Sequence, residues 1–288
     1  YSFVFFFFCM IRRPPGSTQS RSSAASDVYK RQALADSFAT IHPGTEFLME
    51  AAGSVDCARK ITELGRSCDI MASADYMVID QLLIPEYASM NQPFAVNSIV
   101  IAFTDKSRKS DEINSENWYR VLLSPDVFYG RSDPNADPCG YRTMFTLQLA
   151  ERHYAGSGSK VPFRVSDFTG KDHRFIRPKE VDLLALLGSQ AIDYMFIYKS
   201  VAMQHGLRFL ELPPEINLGD STMANLYASA QLKIRGGSPG DSVLVRGTPI
   251  TYSFTIPHNA RNPELAKKFA DFLTDPDGGQ KILRSMGQ

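Results

Sequence analysis

Neither sign of charge is in excess in this chain. Lys and Arg total 31, Asp and Glu total 31, and the formal net charge is zero. The neutrality hides an asymmetry, because residues 1–32 carry Arg12, Arg13, Arg21, Lys30 and Arg31 against Asp27 alone, leaving 26 basic and 30 acidic residues in the remainder. That remainder has no cationic surplus for gripping a phosphate backbone, which argues against a nucleic-acid partner. Any anion it takes is expected to be held by local dipoles and hydrogen bonds. Cysteine is scarce: Cys9, Cys57, Cys68 and Cys139 show neither C-x-x-C zinc spacing nor the density of a disulfide scaffold. The three beyond residue 32 leave at least one thiol free, and a Cys57–Cys68 bridge stays open. The apolar run YSFVFFFFCM is too short to span a bilayer. There is no Walker loop, H-E-x-x-H, G-x-S-x-G or Rossmann glycine fingerprint, so the commonest enzyme signatures are missing without an enzyme being excluded.

What is present begins with an anomaly. Residues 1–10 hold five Phe and a Tyr, and IRRPPGSTQSRSSAASDVYKRQ then turns to Arg, Ser and Pro. In a signal peptide the positive charge precedes the apolar run; here Arg12 and Arg13 follow it. The stretch lacks helix or strand period, reads as a disordered or non-native leader over 1–32, and resembles translated sequencing adapter.

From Ala33 the texture becomes regular. Leu34, Phe38 and Ile41 share a helical face that Pro43-Gly44 stops, and Thr45–Glu50 reads as a strand. A helix follows with Cys57, Ile61 and Leu64 on one side, then a strand at Asp69–Ser73, a helix at Asp75–Leu83 and an apolar strand at Val96–Phe103. A charged linker, Asp105–Glu112, precedes a helix that Ser115 is expected to cap through Leu123. Further strands are expected at Val127–Gly130, Ile192–Tyr198, Arg208–Leu212, Leu226–Ile234 and Thr248–Ile256. Helices are expected at Tyr141–Tyr154, Glu180–Leu187, Ser200–His205, Pro263–Leu273 and Asp277–Met286. Strands alternating with helices imply an α/β chain with parallel-rich sheets, better divided into two lobes than one. The expected division is 33–104 plus 226–288 for one lobe and 105–225 for the other. The start inside a helix at Ala33 and the stop at Gln288 read as clipped ends.

Several residues carry candidate chemistry, each beside a plainer reading. Ala51-Ala52-Gly53-Ser54 joins a strand to a helix, where backbone N–H groups make an anion site or Ser54 is simply an N-cap. The loop Ser132–Gly140 is stiffened by Pro134 and Pro138 and runs into a helix start, with Asp133 or Asp137 as ligand or cap. Cys139 is the one candidate nucleophile, with His153 and His173 as possible bases lacking motif context. Glu180 and Asp182 open a helix, where carboxylates favour the dipole for structural reasons alone. Tyr198 ends an apolar strand, at the edge where α/β lobes carry their crevice, or is a rim tyrosine.

The strings EAAGSVDCARKITELG, ADYMVIDQLLIPEYA, NSENWYRVLLSPDVFYGRSDPNADPCGYRT, IDYMFIYKSVAMQHG, FLELPPEINL and PELAKKFADFLTDPDGGQKIL together resemble the tungstate/molybdate-binding proteins of ABC importers. The resemblance covers nearly all of Ala33–Gln288 in order. It implies a two-lobed periplasmic-binding-protein-like fold of type II, with a hinge, closing over one oxyanion. It also implies a monomeric, non-enzymatic carrier without cofactor that delivers molybdate or tungstate to an ABC permease. Its place would be outside the cytoplasm, in the periplasm or at the cell surface by an anchor missing from this chain. Carried over position by position, Ser54, Asp137, with Pro138 and Cys139 as neighbouring backbone, Glu180 and Tyr198 fall on the family's oxyanion-contacting positions. Asp137 and Glu180 would approach the metal centre itself and raise its coordination above four. Carboxylates are good donors to a hard, high-valent metal, and sulfur in sulfate cannot accept them. Sulfate would therefore leave two charges uncompensated. The family's first ligand loop is absent, residues 1–32 standing in its place, and Asp182 rivals Glu180 for the second carboxylate. Sulfate, phosphate or another oxyanion is the alternative ligand, and an enzyme on the same fold the alternative class.

Overall fold

The computed structural model describes residues 2–7, 22–50, 54–155, 162–170, 175–180, 182–235 and 242–287. The chain divides into two compact units, Tyr1–Val96 with Thr251–Gln288, and Asn97–Ile250.

The first unit comprises β1 (Ser2–Phe7), α1 (Ser22–Ile41), β2 (Thr45–Glu50), α2 (Ser54–Thr62), β3 (Ile70–Ser73), α3 (Tyr76–Leu82) and β4 (Gln92–Val96). After the second unit it resumes with β12 (Thr251–Thr255), α11 (Pro263–Thr274) and α12 (Gly279–Ser285). Its sheet runs β2-β1-β3-β12-β4, with β1 parallel to β2 and β3, and β12 antiparallel to both its neighbours. Every residue of β3 is buried, as a strand covered on both faces requires. Helix α11 places Ala266, Phe269, Ala270 and Leu273 on one apolar stripe, which meets Leu34 and Phe38 of α1 and Phe254 of β12. The Phe38 and Phe269 rings lie edge to face at 5.1 Å. Cys57, Ala58 and Ile61 of α2 pack with Met71, Ile79 and Leu83 in a separate cluster.

The second unit comprises β5 (Ile99–Phe103), α4 (Trp118–Leu122), β6 (Tyr129–Ser132), α5 (Pro138–Ala155), α6 (Val165–Thr169), β7 (Ile176–Arg177) and α7 (Asp182–Gly188). It continues with β8 (Tyr194–Tyr198), α8 (Lys199–Gln204), β9 (Arg208–Glu211), α9 (Pro214–Asn217), α10 (Ala224–Tyr227), β10 (Gln231–Arg235) and β11 (Ser242–Arg246). The main sheet runs β7-β6-β8-β5-β9, while β10 and β11 form an antiparallel pair. Strand β6 is parallel to both β7 and β8, whereas β5 is antiparallel to β8 and β9. Trp118 anchors an aromatic core with Tyr119, Tyr154, Phe163, Phe168 and Phe196.

Several expectations are corrected. The unit boundaries fall at 96/97 and 250/251 rather than 104/105 and 225/226. Val96–Phe103 is two strands, split by Asn97 and Ser98, and β5 hydrogen-bonds to β8 and β9 in the second unit. Asp105–Glu112 is no free linker. Buried Asp193 accepts from the Arg108 backbone N–H (3.0 Å), the Arg108 guanidinium (2.8 Å) and the Phe128 N–H (2.9 Å), tying that loop down. Disorder over 1–32 is not observed at 2–7, which form β1, nor at 22–32, which lie within α1; residues 1 and 8–21 lie outside the described residues. Ile41 and Leu64 are exposed, since each falls where its helix is ending. Helix α4 is preceded by Asn117 rather than capped by Ser115, and the Asn117 amide oxygen instead accepts from Asn114 N–H. The three cysteines beyond residue 32 are unbridged, so no Cys57–Cys68 disulfide is formed.

Candidate functional site

Three parallel strands, β7, β6 and β8, put their carboxyl ends on one edge of the second unit's sheet. A sheet of this kind presents ligands with the loops that leave those ends. Asp137 follows β6, Glu180 follows β7, and Tyr198 ends β8. The geometry thus gathers residues separated by up to 61 positions in the sequence.

Asp137 sits directly before α5 and is buried. Its Oδ1 accepts from the Cys139 backbone N–H at 3.1 Å, which is an N-cap contact, and Pro138 occupies the first helical position. Its Oδ2 accepts from the Glu180 backbone N–H at 2.8 Å. One carboxylate therefore ties the start of α5 to the loop before α7, and the two readings of Asp137, cap and ligand, are compatible. Each oxygen has a second lone pair for another partner. Pro138 has no N–H, and the Cys139 N–H is taken by Asp137 here, so neither holds out a spare backbone donor in this arrangement.

Helix α5 begins at Pro138, three residues before its expected start, and this draws Cys139 and Arg142 into its first turns. Arg142, given no role by sequence reasoning, is buried and donates from Nη1 to the Tyr198 hydroxyl at 2.8 Å, with its guanidinium 5.6 Å from that ring. The Tyr198 oxygen is thereby used as an acceptor, which leaves its O–H to donate elsewhere. Burial pushes the Tyr198 phenol well up; Arg142 opposes this, while Cys139, Glu180 and Asp137 add to it. The signal for Arg142 was available: it lies three residues after Cys139, on the same helical face. The site is therefore not held by dipoles alone, because it contains one fixed cation.

Cys139 is fully buried, its thiol 3.9 Å from the Phe196 carbonyl. Burial pushes this thiol well above its ordinary value, and the Glu180 and Asp137 charges push it further. A nucleophile needs the opposite shift. His153 lies in the last turn of α5, the far end from Cys139, and His173 lies outside the described residues. Among the described residues buried Ser132, last residue of β6, makes no hydrogen bond of normal geometry through its hydroxyl, although the Cys139 thiol is beside it.

Asp182, the rival to Glu180, is the first residue of α7, and no hydrogen bond joins its side chain to this group among the described residues. Ser54 belongs to the other unit. It opens α2, and its Oγ accepts from the Ala74 N–H at 3.3 Å; residues 51–53 of its turn lie outside the described residues. Within the second unit the structure thus brings Asp137, Pro138, Cys139, Glu180 and Tyr198 together.

Comparison with known proteins adds four likenesses. The profile of bacterial extracellular solute-binding proteins matches residues 23–287, beginning inside the stretch set aside as a leader. An uncharacterised solute-binding protein of Petrotoga mobilis is 46% identical over 251 residues, covering 87% of this chain and 77% of that protein. The molybdate/tungstate-binding protein WtpA of Pyrococcus abyssi is 42% identical over 260 residues, covering 84% of this chain and 74% of its own length. Among solved structures, the periplasmic molybdate-binding protein of Azotobacter vinelandii superposes with a TM-score of 0.61 at 15% identity, over 99% of this chain and 97% of that one, a likeness of fold.

Proposed function

Because this chain belongs to the bacterial extracellular solute-binding proteins, we propose that it captures molybdate or tungstate outside the cytoplasm and delivers the anion to the permease of an ABC importer. The observation that carries this reading is the convergence of Asp137, Glu180 and Tyr198 at one sheet edge, in a chain 42% identical to a molybdate/tungstate-binding protein.

In this reading Tyr198, its oxygen already engaged by Arg142, donates its O–H to an oxyanion oxygen. The positive end of α5 and the Arg142 cation offset the anion's charge. Asp137 and Glu180 approach the metal centre, which a tetrahedral sulfur cannot reciprocate. Ser54 is carried forward as a further hydroxyl donor to bound anion, on the resemblance. The protein acts as a monomeric carrier with no cofactor and no catalytic step; the buried, hard-to-ionise Cys139 thiol supports the absence of a nucleophile. Among the described residues no helix is long and apolar enough to cross a membrane.

Calorimetry with molybdate, tungstate and sulfate tests the reading. Binding of the first two at least about a hundredfold tighter than sulfate is expected, a gap of roughly 3 kcal/mol. Equal affinity for sulfate would remove the metal-coordination element.

A further inference from the structure

The second unit contains a cavity of about 400 Å³ that the Asp137 group does not use. This is within the size range of small-molecule sites, on the order of 300–1,000 Å³. Its described walls are apolar and aromatic, with Val127, Phe128, Tyr129, Phe168 and Phe175 prominent, and among the described residues Arg131 is the only charged one lining it.

Arg131 is 7% exposed. Among the described residues its only hydrogen bond runs from Nη1 to the Ser132 carbonyl at 3.4 Å, long for an N–H···O contact. Among the described residues no carboxylate lies in ion-pair range of it, and Asp133 acts on it only at a distance. A guanidinium carries five N–H donors, and a desolvated cation with most of them unfilled is strongly disfavoured unless something supplies the missing charge. Burial accordingly pulls the Arg131 pKa down from its ordinary value.

We propose that this cavity is a second ligand site, for a small organic carboxylate with an aromatic or similarly apolar body. The planar carboxylate matches the guanidinium fork through two parallel hydrogen bonds. The body lies against Phe128, Phe168 and Phe175. An inorganic anion fits poorly, since the remaining described wall residues have no charged group to replace its hydration. The inference does not depend on the oxyanion reading: its cation and its cavity are separate from Asp137, Glu180 and Tyr198.

The chain supplies its own reporter. Trp118 is the single tryptophan, and its ring lies 5.7 Å from Phe168 in the cavity wall. Tryptophan fluorescence of the full chain is titrated with benzoate and with benzamide, its neutral counterpart of the same shape, in excess molybdate and without it. A saturable benzoate signal is expected in both conditions, with benzamide weaker by about tenfold or more. Arg131→Met should erase the difference, and Arg131→Lys should keep a preference for the anion. Absent saturation, equal affinity for the two probes, or an Arg131→Met variant with its preference intact overturns the proposal. Asp172, three residues before Phe175 in the sequence and outside the described residues, provides a further check. Benzoate binding that appears only in Asp172→Asn would assign the counter-charge to the chain itself and also overturn it. If Arg131→Met does not fold, the benzoate–benzamide comparison on the unaltered chain decides alone.

Discussion

At the scale of the residue, Asp137 has two tasks at once. Asparagine is usually nearly as good an N-cap as aspartate. Here, however, the two oxygens accept from two different backbone donors, Cys139 N–H and Glu180 N–H. In Asp137→Asn one of those oxygens becomes an NH₂ that faces a donor, so that bond is lost whatever the ligand role. A stability loss of about 1.5–3 kcal/mol is expected, the range for hydrogen bonds to charged groups. Absolute affinity therefore does not separate cap from ligand; the ratio of molybdate to sulfate affinity does. Coordination requires the ratio to collapse, with molybdate weakened and sulfate unchanged or improved as a negative charge leaves. A purely structural Asp137 would weaken both anions together, and calorimetry of the folded variant distinguishes the two.

At the scale of the element, the site depends on how closely α5 starts behind its loop. A Cβ placed on Gly140 meets the Asp133 carbonyl carbon and the Pro134 nitrogen, both at 2.6 Å, so backbone must move to admit it. Gly140→Ala is expected to cost about 1–3 kcal/mol, as overpacking does, and to weaken anion binding by displacing Asp137. Gly188→Ala, where nothing lies within 4 Å, should be close to neutral, with urea unfolding as the measurement for both variants. Equal behaviour of the two variants would contradict this picture of the loop. Elements with strong period, such as β2, α11 and β8, were legible in the sequence because one apolar stripe or run fixes each of them. The division at Asn97 was hidden, because two polar residues between apolar runs look like a flaw in one strand rather than a passage between units. Strand β11 was missed because most of its side chains are exposed, leaving no buried alternation to read. Of the site, Asp137, Glu180 and Tyr198 were reached through the resemblance, with spacing alone leaving each open. Arg142 needed the observed helix start.

At the scale of the whole molecule, buried phenols set a limit on the alkaline side. Burial pushes Tyr129 up to about 12, partly opposed by Arg131, and pushes Tyr194 up with help from Asp193. Raised values mean that the folded state holds these protons more tightly. Their contribution is complete below the unfolded value of about 10 and is lost as pH climbs from there through the folded values. The urea midpoint should hold steady between about pH 7 and 9 and fall between about 10 and 12; a flat profile to pH 12 would contradict the burial of these rings. The function proposed for the molecule rests in the end on what surrounds the metal of its cargo. X-ray absorption at the molybdenum edge of the saturated protein measures this most directly. Oxygen donors beyond the four of free molybdate, lost in Asp137→Asn, are the expected result. An unaltered four-coordinate tetrahedral spectrum would contradict the account.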